Sequence, residues 1–101
     1  MEMNTIEKRE DVYMKSLEIT IRNAIGLHAL PVVLFVQTAQ KYKSNVKVSY
    51  GNKTANGKDL LETLNLNAIK DALICIHTDG KDEDNALDDL KTLIESDFRR
   101  R

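Results

Sequence analysis

Leu17, Ile19 and Ile21 alternate with Glu18, Thr20 and Arg22, the period of two that turns one face of a strand into a core and the other toward water. The spacing then changes. Val32, Phe35, Val36 and Ala39 recur at helical intervals, so a helix is predicted from residue 28 or 29 to about 42 with these side chains inward. Pro31 suits its first turn, where a missing N–H has no intrahelical partner to lose. Residues 23–27, Asn-Ala-Ile-Gly-Leu, form the connecting loop.

Val46, Val48 and Tyr50 alternate with Lys47 and Ser49, and Gly51-Asn52 turns the chain into a short strand through Lys53 and Thr54. That pattern predicts a hairpin. Asp59 followed three residues on by Glu62 has the spacing of a capping box, predicting a short helix to about residue 66. Residues 72–78 are a compact apolar run suited to a central strand, closed by Asp79-Gly80. The last predicted helix spans about 82–97, with Ala86, Leu87, Leu90 and Ile94 inward, acids in its first turn and arginines after its last. The order is β-α-β-β-α-β-α, an α+β fold whose helices cover one face of a mainly antiparallel sheet. Residues 1–14 hold Glu2, Glu7, Lys8, Arg9, Glu10 and Asp11 with few apolar side chains, and are expected to be an N-terminal extension to a domain over 15–101.

The chain has 101 residues, enough for one domain and too few for a large internal cleft. Fifteen basic and sixteen acidic residues leave a net charge of −1, so no global field draws nucleic acid or an anionic membrane. No segment approaches the ~20 apolar residues of a membrane span, and the N-terminus is charged where a signal peptide is apolar. A cytoplasmic monomer is expected. Cys75 is the only cysteine, which excludes an internal disulfide, and its apolar neighbours suggest a buried, reduced thiol. His28 and His77 lie far apart with no cysteine pair, so neither a metal site nor another cofactor is expected. His77 alternates with Leu73 and Cys75 and is expected on the open face of the sheet.

Candidate chemistry concentrates at His28, where a loop becomes a helix. A helix N-terminus presents unpaired N–H groups and the positive end of a dipole, so it stabilises an anion. A neutral imidazole nitrogen is nucleophilic near pH 7 and forms covalent intermediates. A phosphoryl group on His28 fits both properties, with the Ala29 and Leu30 amides as donors because Pro31 has none. Taken alone, a histidine near a helix start also serves as a cap or a surface residue.

The string Gly26-Leu27-His28-Ala29-Leu30-Pro31 resembles the Gly-Leu-His-Ala-Arg-Pro signature of HPr, the histidine-containing phosphocarrier of the bacterial sugar phosphotransferase system. The resemblance extends over about 15–97, through the Gly51-Asn52 hairpin, Lys58-Asp59-Leu60-Leu61 and Gly80-Lys81-Asp82-Glu83. It implies an open-faced sandwich, a four-stranded antiparallel sheet with three helices on one face. It further implies that His28 accepts phosphate from Enzyme I, charged by phosphoenolpyruvate, and passes it to a IIA-type protein.

Two positions depart from the pattern. Leu30 stands where the signature has arginine. A charge-assisted hydrogen bond is worth ~1.5–3 kcal/mol, so its loss slows transfer roughly 10–100-fold unless compensated. Asp59 stands where many Gram-positive members carry a regulatory serine; it reads either as a helix cap or as a fixed charge at the regulatory position. The resemblance makes Leu30, Leu34, Leu60, Leu61 and Leu64 the partner-binding face, with Leu30 and Leu34 off the core stripe and Leu64 equally compatible with the core. Two functions follow: a phosphoryl carrier, or an HPr-like regulatory module that docks on a regulatory protein with little or no transfer.

Overall fold

The computed structural model describes residues 14–99; the expected extension over 1–14 falls outside them except for Met14. The elements run β1 (Lys15–Thr20), α1 (Ala29–Gln40), β2 (Asn45–Tyr50), β3 (Lys53–Asn56), α2 (Leu60–Leu64), β4 (Leu73–Asp79) and α3 (Glu83–Glu95). The four strands form one sheet in the order β1-β4-β2-β3. Every pairing is antiparallel, so the last strand in sequence lies at the centre, as its apolar composition predicts.

Register decides which face is dry. Ile76 sits between Leu17 and Val48, and Val48 is opposite Ala55; this row points toward the helices and includes the fully buried Ile76 and Val48. Phe35 and Ala39 from α1 and Leu90 and Leu93 from α3 close the core over it. Burying a side chain the size of Phe35 or Ile76 contributes about 1.5–3 kcal/mol. The opposite row runs Glu18–Cys75–Ser49 and Ser16–His77–Lys47. Cys75 lies in it and is half-exposed, which corrects the expected buried thiol: the apolar run contains two faces, and Ala72, Ile74, Ile76 and Thr78 are buried while Cys75 is on the other side. His77 is on this open face, as predicted.

The short helix α2 ends at Leu64, about two residues earlier than its pattern suggests. Asp59 caps it, accepting from the Glu62 N–H at 3.0 Å. The reciprocal half of the capping box is redirected, because Glu62 Oε1 accepts from the Asn56 N–H at 2.9 Å rather than from Asp59. Glu62 thereby ties α2 to the end of β3.

The Asp82 carboxylate accepts from the Lys43 and Ser44 N–H groups, each at 2.9 Å, and from the Ser44 hydroxyl. It fastens the turn before β2 to the start of α3. The Ser44 hydroxyl, followed by the Lys43 N–H, holds its pKa at about 2, below the ordinary 3.8. A carboxyl depressed in the folded state stabilises the fold above its unfolded pKa and loses that contribution as pH falls through the folded one. Thermal stability is therefore expected to drop between about pH 4 and pH 2, and Asp82→Asn to flatten that part of the melting-temperature profile. An unchanged slope in the variant would remove Asp82 from the acid response.

Candidate functional site

The loop that delivers His28 is fixed by backbone geometry. Asn23 Nδ2 donates to the Gly26 carbonyl at 2.9 Å while the Gly26 N–H donates to the Asn23 carbonyl at 3.2 Å, closing a tight turn. The Leu27 N–H then donates to the Ala68 carbonyl at 2.8 Å, and Leu27 is fully buried. This pins the chain against the segment that follows α2 immediately before the histidine. Gly26 has φ +68°, and a Cβ there would lie 2.3 Å from the Ala68 carbonyl oxygen. Gly26→Ala must both adopt a left-handed conformation and displace backbone, so it is expected to cost about 2 kcal/mol or more, read as a lowered denaturant midpoint. A midpoint within error of the parent would show that the loop yields freely.

His28 occupies the N-cap position of α1 in extended conformation, φ −134° and ψ 164°, yet its side chain makes no capping hydrogen bond. The ring is half-buried, and no hydrogen bond or ion pair engages it among the described residues. A capping histidine spends its acceptor nitrogen on the helix; His28 does not. The next residue, Ala29, has φ 50°, a left-handed conformation costing an L-residue about 1–2 kcal/mol. The first-turn amides of Ala29 and Leu30 have no intrahelical acceptor, and no acidic side chain occupies that turn. An anion beside His28 therefore meets helix N–H groups without a competing carboxylate.

The expected partner face divides. Leu30 is 64% exposed, Leu61 69% and Leu60 43%. Leu34, expected on the outer side, is instead half-buried and packs on the core, because α1 also contacts α2 and α3 and covers more of its circumference than a single stripe. Leu64, left open by the sequence, also packs on the core. Two side chains unnoticed in the sequence join the exposed set: Ile25, 52% exposed, and Ile69, 58% exposed. Both lie in loops, where no periodicity marks them.

No group of three or more histidine, cysteine or acidic side chains suited to a metal is present among the described residues. A shallow depression of about 700 Å3 lies on the open sheet face, lined by residues that include Met14, Lys47, Glu62 and His77. It does not include His28, and it is open to solvent rather than enclosed as a small-molecule site is. No helix among the described residues is long and apolar enough to cross a membrane.

An open-faced α+β sheet with an unengaged histidine where the first loop meets the first helix defines a class, the small histidine phosphocarrier domains. The comparisons make the assignment specific. The sequence profile of PTS-HPr, described as the PTS HPr component phosphorylation site, matches residues 15–96. A phosphocarrier protein HPr of Pseudomonas aeruginosa is 38% identical over 86 residues, 84% of this chain and 96% of that protein. Among solved structures, HPr-C-His from Thermoanaerobacter tengcongensis superposes with a TM-score of 0.83 at 38% identity, covering 86% of this chain and 98% of that one. An HPr dimer from the same organism matches with a TM-score of 0.69 at 35% identity, over 99% of this chain and 100% of that one. The chain belongs to the HPr family of phosphocarrier proteins of the phosphotransferase system.

Proposed function

We propose that this chain relays phosphate in the phosphoenolpyruvate-dependent sugar phosphotransferase system, accepting it on His28 from Enzyme I and passing it to a IIA-type protein. The observation that carries the reading is the His28 ring, placed at a helix N-terminus and left without any structural hydrogen bond. In the acceptor step a ring nitrogen attacks phosphorus, the bond to the donor group breaks, and the donor leaves with its electron pair. The Ala29 and Leu30 N–H groups receive the added negative charge. Transfer onward reverses the same geometry, so the site must hold the phosphoryl group without sequestering it. An exposed rim around a half-buried ring meets that need. One chain supplies every group named for the site, so the relay read here needs no residue from a second copy, and the carrier is placed in the cytoplasm with its phosphotransferase partners.

The regulatory-module alternative draws on Asp59 as a standing charge. Its carboxylate is occupied in capping α2, the ordinary work of aspartate at that position, and nothing further in the structure favours that alternative. The test is a reconstituted relay of Enzyme I, labelled phosphoenolpyruvate, this chain and a IIA protein. The carrier reading expects label on this chain and then on IIA; label that stops at Enzyme I contradicts it.

A further inference from the structure

Because no hydrogen bond or ion pair engages the His28 ring among the described residues, its aim rests on packing and on the backbone that carries it. That backbone is clamped at Gly26. The Gly26 N–H donates to the Asn23 carbonyl at 3.2 Å, and the Gly26 carbonyl accepts from Asn23 Nδ2 at 2.9 Å. The same peptide unit that carries the Gly26 carbonyl carries the Leu27 N–H, which donates to the Ala68 carbonyl at 2.8 Å. This planar group, one residue before His28, is therefore held at both ends and cannot rotate without breaking a hydrogen bond.

The two ends differ in what they ask of the sequence. Ala68 contributes a backbone carbonyl, which any residue there would supply. The other end depends on a single side chain, the half-buried Asn23. A carbonyl oxygen can only accept, so the amide nitrogen must face Gly26. That orientation leaves Asn23 Oδ1 buried without a donor, the one buried side-chain nitrogen or oxygen so placed among the described residues. A buried acceptor without a partner lowers stability. An amide that brings a donor to Gly26 carries this acceptor with it, so the position gains a fixed peptide at the expense of the fold.

We propose, resting on the carrier reading, that Asn23 is a positioning residue for phosphoryl transfer: its amide locks the Gly26–Leu27 peptide and so fixes the direction in which His28 meets the phosphoryl donor. Transfer needs the ring nitrogen, phosphorus and leaving oxygen roughly in line, and a misplacement of about 1 Å can cost on the order of 100-fold in rate. Asn23 itself offers nothing to a partner. Its oxygen is buried and its nitrogen is spent on Gly26, so its loss falls on kcat and leaves KM in place.

The experiment compares Asn23→Ala and the near-isosteric Asn23→Leu with the parent chain in phosphoryl transfer from Enzyme I. Both variants are expected to lower kcat by about tenfold or more while KM moves by less than about twofold. The melting temperature of Asn23→Leu is expected to stay within about 4 °C of the parent, because the unpaired acceptor departs together with the donor. Amide hydrogen exchange separates loss of the lock from general loosening. Leu27 is expected to exchange at least about tenfold faster in both variants, while Ile21, whose N–H donates to the Ala72 carbonyl at 2.9 Å, keeps its parent rate. Parent kcat in the variants, or equal acceleration at Leu27 and Ile21, overturns the positioning role and leaves the carrier reading intact. Variants that fail to fold would make Asn23 a folding residue and overturn the role as well. Absence of label on the unaltered chain overturns the carrier reading, and the positioning role with it.

Discussion

Replacing His28 with alanine is expected to abolish phosphoryl uptake, by at least about a thousandfold, with the fold unchanged. Removal of a nucleophile eliminates the covalent intermediate rather than slowing its formation. Stability is expected to hold because the half-buried ring makes no hydrogen bond and supplies no cap; changes at such positions stay within about 0.5 kcal/mol. His77 does not substitute. It lies within β4 on the open sheet face opposite Ser16 and Lys47, away from any helix N-terminus. Labelling from phosphoenolpyruvate through Enzyme I, alongside a thermal melt, separates the possibilities. A folded His28→Ala chain that still takes up label would remove His28 from the mechanism.

Leu30→Arg is expected to favour the phosphorylated form by roughly 10–100-fold in the equilibrium with phosphoenolpyruvate and pyruvate. A guanidinium donates charge-assisted hydrogen bonds to phosphate, each net worth ~1.5–3 kcal/mol. The repulsion of the same cation by the positive end of the α1 dipole, about 0.3–1 kcal/mol, acts in both states and so leaves the difference between them to the phosphate contact. The equilibrium constant contains no contact with Enzyme I. It therefore reports the chemistry at His28 separately from any effect of residue 30 on docking, which registers in KM. An unchanged equilibrium constant would mean that residue 30 does not reach the phosphoryl group.

The sequence displays its strand periodicities, hairpin and helix starts clearly enough to yield the element order and the open face. Its failures have specific causes. Leu30 and Leu34 are indistinguishable in a helix whose polar positions begin only at Gln37, so the inward turn of Leu34 depends on how α2 and α3 close over α1. Cys75 is misjudged because an apolar run looks the same whether one face or both are buried. Ile25 and Ile69 lie on loops that become neighbours only through the Leu27–Ala68 hydrogen bond. The same applies to Asp82, which in the sequence stands only among the acids at the start of the last helix and in the structure holds the turn at Lys43 and Ser44, far away in the chain. His28 itself was legible through its six-residue string; the freedom of its ring required coordinates.

The most direct test locates the phosphoryl group on the intact protein. Nitrogen-15 and phosphorus-31 magnetic resonance of the chain, before and after phosphorylation by Enzyme I, reads both the ring and the backbone amides. The account predicts a phosphorus–nitrogen coupling at the His28 imidazole, with the largest amide shifts at Ala29 and Leu30. Coupling at His77, or phosphate on any side chain other than His28, would contradict it.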